Sequence, residues 1–164
     1  MSAISVLEAL GLEIVRALGT VNGVEPFRST INSINDSLVA FEDIGTNGFP
    51  AVSFEISRVE KSGASFGRVR LTHQVRFFLY AKADREHDAK TSVLALLADV
   101  ERALTREWRA GATAANVKAA TSADFVLWDF GGIGPIACSP KKRGDGVALD
   151  VSFVAVVHRD IDLP

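Results

Sequence analysis
The sequence predicts an α+β domain: an antiparallel or mixed sheet of about four strands with two helices packed on one face. Three observations carry this. Val69, Leu71, Val75, Phe77, Leu79 and Ala81 fall on alternate positions, with Arg70, Thr72, Gln74, Arg76, Tyr80 and Lys82 between them. Such alternation marks a long strand with one buried and one wetter face. After Ala83 the period changes to that of a helix, because Val93, Leu97, Val100, Leu104 and Trp108 recur at helical spacing and Leu94 and Leu96 widen the stripe. Strands and helices do not alternate strictly along the chain, which argues against a doubly wound parallel sheet.

In chain order, a first helix is expected over Ile4 to Leu18. Leu7, Leu10, Ile14, Ala17 and Leu18 make its apolar stripe, and Gly19 stands where a C-cap glycine belongs. Leu12 and Val15 lie off that stripe, and Gly11 weakens the helix or admits a close neighbour. Val24 to Phe27 reads as a short extended piece ahead of and through Pro26. Ser29 to Asp36 reads as a loop or one helical turn, Leu38 to Ile44 as a short strand, and Gly45 to Gly48 as a turn. Phe49 to Ile56 is a strand with Val52, Phe54 and Ile56 on one face, and Pro50 fits its start. Val59 to Gly67 forms a mobile hairpin arm leading into the long strand.

The second helix is expected over Arg85 to Arg109, with Asp84 as N-cap, Glu86 and Asp88 at its positive end, and Arg102, Arg106 and Arg109 at its negative end. Gly111 to Ser122 reads as a loop with a helical turn, and Asp124 to Phe130 as a short aromatic strand. Gly131 to Gly146, with five glycines and two prolines, reads as a loop. The last strand, Val147 to His158, alternates on one face and carries Val154 and Val156 on the other, as a central strand does. The long strand is expected to pair with both Phe49–Ser57 and Val147–His158. No repeat or second domain boundary is visible, and residues 1–164 read as one domain.

Composition narrows function. At 164 residues and net charge −2, with a pI near 5.9, the chain is large enough for a real core and has no field drawing it to nucleic acid. Apolar content is 48% and mean hydropathy +0.19, yet no apolar run nears the roughly 18 residues of a membrane span. No secretory segment is recognised at the N-terminus. The excess apolar surface is expected in subunit contacts. The single cysteine, Cys138, suits a reducing compartment. Asn35-Asp36-Ser37 is a chance match to the glycosylation sequon.

No catalytic set emerges. His73 is in phase with the apolar face of the long strand and reads as a core or interface histidine. His87 falls in the first helical turn, and His158 closes the last strand. None stands at metal-ligand spacing. Cys138 has no nucleophile context, and Gly131-Gly132-Ile133-Gly134 lacks the strand–helix setting of a dinucleotide fingerprint. Paired carboxylates such as Glu42 and Asp43 point apart. No catalytic residue, cofactor or metal is expected. Lys141-Lys142-Arg143 is the one strong charge run, either a solvated loop tip or a contact for an acidic partner. Arg70, Thr72, Gln74 and Arg76 form a polar stripe, either solvated or suited to the wall of an aqueous channel.

The series of an N-terminal helix, a Phe49-Pro50-Ala51-Val52 strand entry and an arm leads into Arg70-Leu71-Thr72-His73-Gln74-Val75-Arg76-Phe77-Phe78-Leu79-Tyr80. The helix Ala89 to Glu107 and a closing strand then follow. From about Ser5 to His158 this resembles the tail terminator and tail-completion proteins of tailed bacteriophages and phage-like particles, the minor tail protein U group among them. Element order and strand texture carry the likeness. The Val21–Gly48 insertion and the Gly131–Gly146 loop depart from the more compact members.

The resemblance implies a non-enzymatic virion protein of the tail or neck, assembled in the bacterial host cytoplasm. It would form a hexameric ring that stops tail-tube polymerisation and offers a surface for head attachment. Its partners would be copies of itself, the tail tube protein and a head–tail connector or stopper protein. DNA would pass through the lumen without sequence-specific binding, and no membrane is involved. Arg70, Thr72, Gln74 and Arg76 become candidates for the lumen lining; Lys61, Ser62, Gly63, Lys141, Lys142 and Arg143 become candidates for partner contact. Two other readings stand beside it: a head–tail connector or baseplate adaptor of similar fold, and a small cytoplasmic α+β enzyme or ligand-binding domain.

Overall fold
The computed structural model describes residues 6–63, 68–83, 88–109, 115–117, 119, 127–133, 137–143 and 148–162. Seven strands and helices longer than a turn organise them around β3. They are α1 (Val6–Gly19), β2 (Ala51–Gly63), β3 (Arg68–Lys82), α2 (Ala89–Arg109), β4 (Leu127–Ile133), β5 (Ala137–Arg143) and β6 (Ala148–Asp162). A three-residue strand β1 (Ser33–Asn35) precedes β2. The sheet order is β1-β2-β3-β6-β4, with β5 also on β6.

β1 runs parallel to β2, and all other pairs are antiparallel, so the sheet is mixed. β4 and β5 lie end to end along β6: β4 pairs with its Ala155–Asp160 half and β5 with its Ala148–Ser152 half. The sheet is therefore four long rows plus β1. As expected, β3 pairs on one side with β2 and on the other with β6. Its register with β6 is unbroken from Arg68↔Asp162 to Lys82↔Ala148.

Both helices cover one face. The odd-numbered residues His73, Val75, Phe77, Leu79 and Ala81 are buried, and in the antiparallel register Val52, Phe54 and Ile56 of β2 point the same way. Against them pack Leu10, Ile14 and Leu18 of α1 and Val93, Leu96, Val100 and Leu104 of α2. Burying these stripes together removes several apolar side chains from water, each contributing roughly 1.5–3 kcal/mol. Gly11 faces β2, but a Cβ there would meet Ile56 Cδ1 at 4.0 Å, an ordinary contact, so this approach does not require a glycine.

Four local expectations are corrected. Within the stretch read as a loop, residues 131–133 and 137–143 are strand, belonging to β4 and β5, because pairing with β6 satisfies their backbone better than solvent does. β1 lies inside the stretch read as a loop, a three-residue strand too short to show a period. Leu38 to Ile44 is not a strand; it contains a 3₁₀ turn at Phe41–Asp43. Val24 to Phe27 is a turn, closed by Phe27 N–H on Val24 O at 2.9 Å and containing a cis Glu25–Pro26 bond. Gly23 before it takes φ +76°, which only glycine adopts without strain.

The second helix starts at Ala89, and Asp88 caps it by accepting the Thr91 N–H at 2.7 Å. Asp84, read as the N-cap, lies outside the described residues, as do Arg85, Glu86 and His87. The tip of the expected arm, residues 64–67, lies outside them too; its stem is the paired end of β2 and β3.

Candidate assembly surfaces
β3 sets the geometry of the face that the helices leave bare. Strict alternation puts Arg70, Thr72, Gln74 and Arg76 together on this face, opposite the buried odd row. Gln74 and Arg76 are exposed there, and Arg76 stands in a row with Glu55 of β2 and Val154 of β6. The side chains of Arg70 and Thr72 lie outside the described set; their backbones pair with Ser62 and Glu60 on one side and with Asp160 and His158 on the other. The bare face is not polar throughout. Phe78 is half-buried, and Tyr80 is buried with its hydroxyl donating to Val39 O at 3.4 Å. The segment after β1 thus screens the Tyr80 end of the stripe and leaves the Gln74–Arg76 part open.

The residues singled out for partner contact form two groups, at opposite ends of the sheet. Lys61, Ser62 and Gly63 pair with Leu71, Arg70 and Val69, at the start of β3. Lys141, Lys142 and Arg143 pair with Asp150, Leu149 and Ala148, and through them share rows with Tyr80, Ala81 and Lys82, at the end of β3. At about 3.3 Å per residue the two groups stand roughly 40 Å apart. Lys82 adds to the basic end, its ammonium 4.2 Å from the Phe49 ring centroid, where the ring face attracts a cation. A strand, not a flexible tip, presents Lys141–Arg143.

Sequence reasoning passed over the residue that fixes the 20s loop. Asp99 of α2 is buried, and its Oδ2 accepts the backbone N–H groups of Arg28 at 2.9 Å and Ser29 at 2.6 Å. One turn on, Arg102 donates to Pro26 O at 2.9 Å. A carboxylate among the apolar residues of a helix, between Leu96 and Val100, was the available signal. Beside this anchor a cleft of about 250 Å³ opens between α2 and the 28–32 segment, with Arg28, Thr30, Asn32 and Ser92 on its walls. The two helices are tied to each other near their C-terminal ends. Arg16 donates to Glu107 at 2.7 Å and to Glu13 at 2.9 Å, and these carboxylates, Glu107 foremost, raise its pKa above the ordinary arginine value against the opposing effect of burial.

His73 is completely buried, in a row with Val59 and Val157, the core position its phase on the strand indicated. Cys138 falls in β5 and His158 in β6, with side chains outside the described set. Among the described residues no three His, Cys, Asp or Glu side chains are grouped to hold a metal ion. No described helix is long and apolar enough to cross a membrane.

These features define a class: an α+β domain with one mixed sheet, both helices on one face, and a bare face between two charged sheet ends. No family model and no curated protein matches the chain. Among solved structures it is similar to a chain of the "Virion of native gene transfer agent (GTA) particle", with TM-score 0.43, 13% identity and 92% of each chain covered.

Proposed function
We propose that this protein is a structural component of a tailed phage or phage-like particle. In this reading it forms a ring at the head-proximal end of the tail, ends tube polymerisation there and provides the interface for head attachment. The observation that carries the reading is the order and texture of the elements: α1, the Phe49-Pro50 strand entry, the β2–β3 hairpin, the amphipathic α2 and the closing β6. The bare sheet face and the two contact groups about 40 Å apart support it, since a ring joint needs separate surfaces for its neighbouring copies and for an axial partner. The ring is a homo-oligomer, hexameric by resemblance, and its function is mechanical rather than catalytic.

Within that ring, Arg70, Thr72, Gln74 and Arg76 are proposed to face the lumen. Scattered positive charge there attracts phosphate weakly and without base readout, so DNA slides through. Lys61–Gly63 and Lys141–Arg143 are proposed to make contacts beyond the subunit, Lys61–Gly63 with the tail tube protein or the head–tail connector at one end of the ring.

Solution mass tests this against an enzyme or ligand-binding domain. The subunit is 17.6 kDa, and a closed six-fold ring is about 106 kDa. The expected result is that mass in solution alone, or a ring of six copies bound to purified tube protein. A chain that stays a monomer in both settings contradicts the proposal. A ring that binds connector but not tube would favour the connector or baseplate-adaptor reading.

A further inference from the structure
The outer edge of β2 is paired only at its start. β1 covers Ala51, Val52 and Ser53, and from Phe54 onward no strand among the described residues lies against that edge. Beside the first open residues a groove of about 430 Å³ lies between α1 and the segment after β1. Its lining includes apolar surface that a subunit alone does not bury: Leu7 is 43% and Leu38 48% exposed, and Ile56 is half-buried. Glu8, Asp36 and Glu55 line it as well, and no lysine or arginine does. Arg76 shares a row with Glu55, and the groove stays negative even with that charge offset.

An open strand edge beside such a groove suits an extended segment. The segment pairs through its backbone, places an apolar side chain inward and brings positive charge to the rim. The chain carries one run of three basic residues, Lys141–Arg143, and it lies in β5. β5 pairs with β6 on one side and has no strand beyond it among the described residues. The groove beside one sheet edge is thus acidic, and the β5 part of the opposite edge carries a basic run. A closed head-to-tail ring requires two different, complementary patches on each subunit.

We propose that β5 of one copy docks along the β2 groove of the next, edge to edge, with Lys141–Arg143 against the carboxylates. This rests on the ring reading above and supplies that ring's lateral contact.

Cys138, the one cysteine, lies in β5 and serves as a native probe. Within one chain Ser37, in the groove, and Cys138 are on opposite sides of β2, β3 and β6, a width of about 14 Å that no disulfide spans. Mild oxidation of assembled Ser37→Cys protein is expected to give a ladder of linked copies beyond the dimer, abolished by adding Cys138→Ser. Combining Lys141→Glu, Lys142→Glu and Arg143→Glu is expected to reduce both ladder and assembled fraction at least tenfold, and adding Asp36→Lys with Glu55→Lys to restore them. Wild-type protein that assembles while Ser37→Cys gives no ladder, or while the charge reversals change nothing, overturns this contact and leaves the ring intact. Wild-type protein that never assembles, alone or on tubes, overturns the ring and the contact together.

Discussion

Replacing Phe77 with alanine is expected to destabilise the fold by about 3–5 kcal/mol, the usual cost of removing a large aromatic side chain from a closed core. Phe77 sits midway along β3, 1% exposed, in a row with Phe54 and Phe153. Its ring lies 5.8 Å from that of Phe54, tilted by 36°, a geometry that favours both rings beyond simple burial. Sheet backbone on one side and α2 on the other hold the site open after truncation, so little of the void can collapse. Urea unfolding should show a midpoint lower by more than 1 M for a slope of about 2 kcal/mol/M. Leu12→Ala is the matched control: Leu12 is 60% exposed, and its loss should stay within about 0.5 kcal/mol. Equal effects at the two positions would mean that the helices do not cover the odd face of β3.

Asp99→Ala should cost about 2–4 kcal/mol, because hydrogen bonds to a charged acceptor are strong and their loss leaves two part-buried donors unsatisfied. The two donors are the Arg28 and Ser29 amides, held at 2.9 and 2.6 Å. Asp99→Asn keeps a carbonyl oxygen in nearly the same place and should lose less than half as much. Hydrogen exchange separates this from a general loosening. The amides of Arg28 and Ser29 should exchange faster in Asp99→Ala at protein stabilities where those of β3 do not. An alanine variant as stable as the asparagine one, with both amides still protected, contradicts the anchoring role.

The sheet and its helices were legible because two periods dominate the sequence. The alternation around Phe77 fixed which face of β3 is buried, and the stripe from Val93 to Leu104 fixed the face of α2. What escaped notice depends on partners distant in sequence. β5 and the second half of β4 contain Gly131, Gly132 and Pro140 and carry little alternation; pairing with β6 makes them strands, whereas the first half, Leu127–Phe130, falls in the aromatic strand that was expected. β1 is a strand only because Ala51 to Ser53 lie beside it. Asp99 was passed over because its partners, the Arg28 and Ser29 amides, lie about 70 residues earlier in the chain.

The candidate surfaces divide in the same way. The polar stripe on β3 could be read directly from the sequence, since one strand carries all of it. The separation of Lys61–Gly63 from Lys141–Arg143 could not, because it depends on β6 running antiparallel to β3 and placing β5 at the far end. The groove beside β2 combines Leu7, Leu38 and Ile56, which no sequence pattern joins.

The most direct test of the central proposal is the length of tail tubes polymerised with and without this protein. Purified tube protein, polymerised from a defined initiating end and measured by electron microscopy, should give long tubes of scattered length when alone. With the protein present, tubes should stop growing, carry a ring at the end opposite initiation, and fail to extend when fresh tube protein is added. Tubes that keep growing at an unchanged rate with no ring at their ends would contradict the account.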